Sequence, residues 1–255
     1  MIPQEKASAL VDKMNLLLRS KPSEFELAGI RAEITKIENS GLYSNAQELR
    51  GILSTIVGDV SSLKKHYDAA IKSSGGNPEV ILSYATSLSN AFQLKDAVEI
   101  TDKLIDLFPD DINKLMVMFR IYSSAFNFKS AAKIHEKLQK LGAFHDNEAM
   151  HEKIELNNLI EEILSDNNVE WQEVCDRSLV VVEVLKKQGL KVYPVLKNVD
   201  EDSISIEFPL DSNIEELIEI DSLITESISN LPYSLVDECV SFTCTNRSTN
   251  QKIAA

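Results

Sequence analysis

The chain has 255 residues, 44% hydrophobic and 26% charged, a balance that suits one large or two ordinary globular domains and excludes a disordered chain. Forty acidic residues against 26 basic ones give a net charge of −14, which repels phosphate backbones. That excess argues against a nucleic-acid partner and favours a basic or mixed-charge protein partner.

Other features of composition narrow the class. Only 8 Gly and 7 Pro punctuate the chain, so long helices are expected rather than many short strands. No apolar run approaches the length of a membrane span, and the opening stretch lacks the apolar core of a signal peptide. Cys175, Cys239 and Cys244 form no CxxC pair and no metal-ligand spacing. Reduced, buried thiols in a cytoplasmic protein are expected, with no cofactor or metal.

Taken in order, the first element is a helix carrying an apolar stripe at Ala7, Leu10, Val11, Met14, Leu17 and Leu18. A second helix opens at Ser23 with Glu26 three residues on, the spacing of a capping box. The two predict a divergent first hairpin.

Residues 44–143 repeat with a period of 34. Leu63, Ala97 and Ala131 stand in register, followed by Tyr67, Thr101 and His135, then Ala70, Leu104 and Leu138. Gly51, Ala85 and Phe119 hold the matching place in the preceding helices. A short link recurs as Gly58-Asp59, Phe92-Gln93 and Phe126-Asn127, and Pro109 closes the middle unit. Small residues facing one another allow two helices to approach closely, while large ones fill the gap between units.

This period and these positions resemble the tetratricopeptide repeat, over about residues 44–143 as three degenerate units. No unit carries the tryptophan usual in that family. The resemblance implies antiparallel helix pairs stacked as an α-solenoid, and a protein partner held in the inner groove. The register places Glu48, Ile52, Thr55 and Ile56 of the first unit in that groove. The second unit gives Leu82, Thr86, Ser89 and Asn90, and the third gives Met116, Arg120, Ser123 and Ser124. Repeats that clamp a terminal carboxylate present lysine and asparagine there. This chain has no lysine at these positions and only Asn90, so that activity is not implied. The groove suits a helix or an extended peptide, with Arg120 as its cation. The competing expectation is that it receives the chain's own C-terminal domain, favoured by high effective concentration.

A helix over 146–168 falls where the next unit would begin, and is expected to seal the stack. The grammar then changes. Residues 169–189 read as a helix ending at Gly189, although Leu179 to Val182 would also suit a strand. Two strands follow, around Leu190–Val199 and Ser203–Leu210, joined by an acidic turn. Pro194 argues that the first is at an edge. A helix capped by Ser212 or Asn213 places Ile214, Leu217, Ile218, Ile224 and Ile228 inward. A last strand carries Val240, Phe242 and Cys244 on one face. The expected fold is therefore mostly α: a repeat domain over 1–168, a small α+β domain over 169–248 in the order α-β-β-α-β with a three-stranded sheet, and a frayed tail at 249–255.

Candidate chemical groups are few. His135 sits at a core position and His66 at a solvated one. Glu148 and His151 share a helix face near His145, without a zinc motif. Asp200, Glu201, Asp202, Glu207 and Asp211 cluster around the hairpin and could hold a metal for a hydrolase, or could simply be an acidic turn. The primary expectation is a non-catalytic adaptor or inhibitor. The alternatives are an antitoxin or immunity-type protein that masks a basic active site, and a metal-dependent hydrolase in the C-terminal domain.

Overall fold

The computed structural model describes residues 3–18, 20, 22–143, 148–193, 195–200 and 202–247. Two compact units, Met1–Pro109 and Asp110–Ala255, divide the chain. The tail 249–255, Pro194, Glu201 and His145 lie outside the described residues.

The first unit is a set of helical hairpins. The helices are α1 (Pro3–Leu17), α2 (Glu24–Asn39), α3 (Tyr43–Val57), α4 (Val60–Ser73), α5 (Pro78–Asn90) and α6 (Leu94–Asp102). Each first helix packs on the next first helix, α1 on α3 and α3 on α5. Each second helix packs on the following first helix, α2 on α3 and α4 on α5. The caps follow from sequence. Ser23 and Glu26 form both bonds of the capping box, at 2.8 and 3.3 Å, and α2 begins at Glu24. Asp59 caps α4 through the Ser62 amide, and Asn77 caps α5 ahead of Pro78.

Within the first unit, α3 and α4 approach closely at Gly51. A Cβ placed on Gly51 would lie 2.5 Å from the Tyr67 ring. Tyr67 is fully buried, and its hydroxyl meets Ser83 Oγ at 2.9 Å and Ser87 Oγ at 2.8 Å. Burial pushes its phenol well above the usual range, so it stays protonated.

α6 is shorter than its counterparts. It stops at Asp102, and a 3-10 turn, Ile105–Leu107, carries the chain on. The Lys103 and Leu104 amides bond to the Ile100 and Thr101 carbonyls three residues back, at 3.2 and 2.9 Å, which tightens the last turn. Phe108, which precedes Pro109, is held out of the helical region at φ −131°.

The second unit joins helices to a sheet. Its elements are α7 (Ile112–Ser124), α8 (Phe128–Lys140), α9 (Glu148–Asp166), α10 (Trp171–Lys187), β1 (Leu196–Asp200), β2 (Ser203–Leu210), α11 (Ile214–Ser229), the single turn α12 (Val236–Cys239) and β3 (Val240–Asn246). The fold class is mostly α with a small C-terminal α+β element, and the order α-β-β-α-β is present with α12 added. The valine-rich 179–182 stretch is helical. The sheet order is β1-β2-β3. β1 and β2 are antiparallel with Asp200 opposite Ser203, and β2 and β3 are parallel with Ile206 opposite Phe242. Ile204, Ile206, Phe208 and Val240 are buried on the inner face. Ser203 and Ser241 are exposed on the other.

Two expectations need correction. The first strand is confined to Leu196–Asp200, shorter than the apolar pattern suggested. Ile214 and Ile218 face outward at 68% and 62% exposure, while Leu217, Ile220 and Ile224 form the buried stripe of α11. The stripe is narrow because α11 packs against α10 and β3 along one side. Ile218 is a full helical step from Leu217, about 100° around the axis.

A partly buried ion pair closes the C-terminal region. Arg177 of α10 donates to both carboxylate oxygens of Asp237, at 2.9 and 2.8 Å, and to the Pro232 carbonyl at 2.7 Å. This two-pronged geometry fixes the loop before α12 against α10.

Candidate functional site

The repeat register is realised in the backbone. α4, α6 and α8 begin at Val60, Leu94 and Phe128, each 34 residues after the last. Gly58, Phe92 and Phe126 all have positive φ, at 78°, 61° and 59°. After each, the next amide turns back to a carbonyl one turn inside the preceding helix. These bonds are Asp59 to Ser54 at 2.9 Å, Gln93 to Leu88 at 2.9 Å, and Asn127 to Tyr122 at 3.0 Å. A phenylalanine in the left-handed region is uncommon, and both instances sit on this one repeat position.

That register sets the groove positions. In the first unit, Ile52, Thr55, Ile56 and Leu82 are buried and so contribute to the core. The hydroxyls of Thr55 and Thr86 donate to the carbonyls of Gly51 and Leu82 within their own helices. Glu48, Thr86 and Ser89 are half-buried and Asn90 is exposed. Burial raises the Glu48 carboxyl pKa, opposed by a hydrogen bond from Ser83 and reinforced by the charge of Glu79. Glu48, Ser83, Tyr67 and Ser87 thus form a polar thread through α3, α4 and α5.

In the second unit the same face is partly covered by the chain itself. Ser123 is 2% exposed and accepts a hydrogen bond from Asn157 Nδ2 of α9 at 3.1 Å. Asn157 is 34 residues further on, so α9 takes the place of the next first helix. Lys197 of β1 donates to the Ser123 carbonyl. Its ammonium also sits 4.5 Å from the Phe126 ring centre and 4.9 Å from that of Phe128. Cys175 of α10 donates to the Ala125 carbonyl at 3.2 Å. The end of the α7 face is therefore filled by α9, α10 and β1. Burial, and less the charge of Lys153, push the Lys197 amine down to about 7.

The other end of that face is open. Met116 is half-buried and Arg120 is exposed there, and Ser124, beside Ser123 at the last position of α7, is exposed as well. Arg120 lies one turn before Ser123, and Lys153 one turn before the Asn157 that bonds it. The two cations therefore stand on one side of that contact. The Lys153 amine is held below the usual lysine range first by desolvation and then by the charge of Arg120, although the residue as a whole is exposed. Among the described residues, no carboxylate forms an ion pair with Arg120, Lys153 or Lys197. Arg120 could be found from the repeat register. Lys153 and Lys197 could not, because only the packing of α9 and β1 brings them to it.

The remaining candidates do not converge. Asp202 and Asp211 are about 30 Å apart along the extended β2. Glu207 accepts from Asn198 Nδ2 at 2.5 Å, and Asp211 from the Tyr193 hydroxyl at 2.6 Å and Arg247 at 3.5 Å. Among the described residues, no group of His, Cys, Asp and Glu could hold a metal ion. The Glu148 side chain is outside the described residues, and His151 is exposed. His66, expected in solvent, is half-buried with Nδ1 2.8 Å from Gln47 Oε1. All three cysteines are buried free thiols, and among the described residues no helix is long and apolar enough to cross a membrane.

No protein-family model, curated protein or solved structure matches the chain.

Proposed function

We propose that the chain is a non-catalytic, cytoplasmic protein-binding module, an adaptor or inhibitor, related in its helical pairs to the tetratricopeptide repeat. The observation that carries this is the open part of the α7–α9 face, where Arg120 and Lys153 stand near Met116 and, among the described residues, no carboxylate forms an ion pair with either. Unpaired cations that repel one another gain free energy when a carboxylate arrives. The same face is closed at its Ser123 end, so a bound segment lies over Met116 and Arg120 rather than running the full length of α7. An acidic segment of a partner protein suits this position.

A second reading, an immunity-type protein that masks a basic site, rests on α11. That helix carries Glu215, Glu216, Glu219, Asp221 and Glu226 and no Lys or Arg.

Pull-down from the native source separates the two. Arg120→Glu with Lys153→Glu is expected to lose the partner while circular dichroism stays unchanged. Retention of the partner by the folded double variant would place binding elsewhere. Weakening of parent binding as salt rises would agree with either charge-driven mode, and a salt-indifferent complex would contradict both.

A further inference from the structure

The two outer strands of the sheet differ in how their edges are protected. β1 has five residues, carries the inward-pointing charge of Lys197, and has α9 packed against it. Short length and an inward charge blunt an edge against further pairing. β3 has seven residues and carries no charged side chain; α11 packs against it, and among the described residues no side chain of α11 bonds the Phe242 amide.

The register shows which main-chain groups β3 offers. Asp200 stands opposite Ser203 at the start of β2, and the Ile204 carbonyl faces β3, where it accepts from the Ser241 hydroxyl at 3.4 Å. Alternation then turns the main-chain groups of Ile204, Ile206 and Phe208 towards β3. On β3, Ser241, Thr243 and Thr245 turn towards β2, and Val240, Phe242 and Cys244 turn outward. Two outward amides are already engaged. That of Val240 bonds to the Val236 carbonyl, and that of Cys244 donates to Asp221 Oδ1 at 2.7 Å. Asp221 thus stands where the carbonyl of another strand would stand. Phe242 lies between them, facing a groove of about 600 Å³ that runs between β3 and the C-terminal half of α11. Ile224, Ile228 and Leu231 give the groove apolar contacts and Tyr233, 71% exposed, rises at its end.

Charge selects the occupant. No Lys or Arg lines this groove or the shallower one that shares Thr225 and Ser229 with it, where Asp221 and Glu226 stand beside exposed Ile218. We propose that β3 accepts a fourth strand from a protein partner: an extended segment with apolar residues over Ile224 and Ile228 and lysine or arginine towards Asp221 and Glu226. Main-chain pairing with Phe242 supplies the register, and the side chains supply the preference. This surface is separate from the cationic face of α7 and α9, and it extends the binding-module reading to a second, basic partner.

The probe is a fluorescent synthetic peptide, Lys-Val-Thr-Val-Thr-Val-Lys, titrated into the full chain. Amide hydrogen exchange is followed at Phe242. Saturable binding is expected, with exchange at Phe242 slowed about tenfold or more and Val182 in α10 unchanged. Replacing both lysines of the peptide by glutamate, or N-methylating its valine amides, should each weaken binding about tenfold or more. Thr225→Arg with Ser229→Arg, both at exposed positions, should abolish binding with circular dichroism unchanged. Arg120→Glu should leave it untouched, so loss of the other surface is told apart from loss of this one. Unchanged exchange at Phe242, equal binding of the N-methylated peptide, or a free chain that sediments as a dimer with Phe242 already protected would each overturn the proposal. The last would assign the edge to a second copy.

Discussion

The hairpins α3/α4 and α7/α8 are built on one pattern and end in different surroundings. Both close through a residue of positive φ followed by a capping side chain, Gly58 with Asp59 and Phe126 with Asn127. α3 then packs among helices of its own kind, α1, α2 and α5. The corresponding face of α7 meets a helix and a strand, through Asn157 and Lys197. A repeat therefore specifies how a pair of helices closes, but not what covers it. Position 51 leaves no room for a side chain against Tyr67, whereas the equivalent position in the second pair holds the buried ring of Phe119.

The largest effect is expected where the first pair is tightest. Gly51→Ala puts a methyl carbon into the Tyr67 ring, and that ring is fixed by Ser83 and Ser87 and cannot swing away. Overpacking there should cost about 2–3 kcal/mol, more than any gain in helix propensity returns. Gly29→Ala is the control. Nothing lies within 4 Å of its added carbon, so the helix should gain about 0.5–1 kcal/mol. Denaturant midpoints, with hydrogen exchange to locate the change to residues 3–107, would check both. Equal behaviour of the two variants would mean that close approach does not govern the first hairpin.

These contrasts mark what was legible in the sequence. The 34-residue spacing gave the starts of α4, α6 and α8 because a buried small residue and a left-handed link are local demands that particular residues must meet. Caps at Ser23, Asn213 and Gly189 were legible for the same reason. The early end of α6 was not, since the tightening of its last turn at Lys103 and Leu104 is marked by no particular residue type. Nor was the outward turn of Ile214 and Ile218, because an isoleucine-rich helix does not reveal how wide a stripe its neighbours will cover. Of the candidate face only Arg120 was legible. Lys197 lies 77 residues later in the chain, and nothing local marks its approach to Phe126 and Phe128.

Lys197 offers the next test, because it exists only in the surroundings of the second hairpin. Its folded pKa of about 7 lies well below the value of about 10.4 in an unfolded chain. Between those values the unfolded chain holds more protons, so stability should rise with pH across that window and be flat below it. Lys197→Met removes the buried charge. At pH 6 it should stabilise by about 1–2 kcal/mol, less than the full shift implies, because the two rings and the Ser123 carbonyl favour the charged form and the side chain is not wholly shielded from water. The gain should vanish near pH 10. Urea midpoints at the two pH values would decide, and a variant that is less stable at pH 6 would show that the ring cradle outweighs desolvation.

The smallest expected effect is also the sharpest, because it compares one residue type at one repeat position. Ser89 and Ser123 are 34 residues apart on equivalent faces, yet Ser89 is half-exposed and Ser123 is 2% exposed. Ser123→Ala leaves the buried Asn157 amide without the hydroxyl that accepts its proton, and should cost about 1–2 kcal/mol. Ser89→Ala loses a hydroxyl that water can replace, and should stay within about 0.5 kcal/mol. Asn157→Leu on the Ser123→Ala background removes the stranded group and should recover part of the loss, as expected when a donor and its acceptor are replaced together. If Ser89→Ala proved as costly as Ser123→Ala, the two faces would be covered alike, and the difference between the hairpins would lie in their helix contacts rather than in what lies over them.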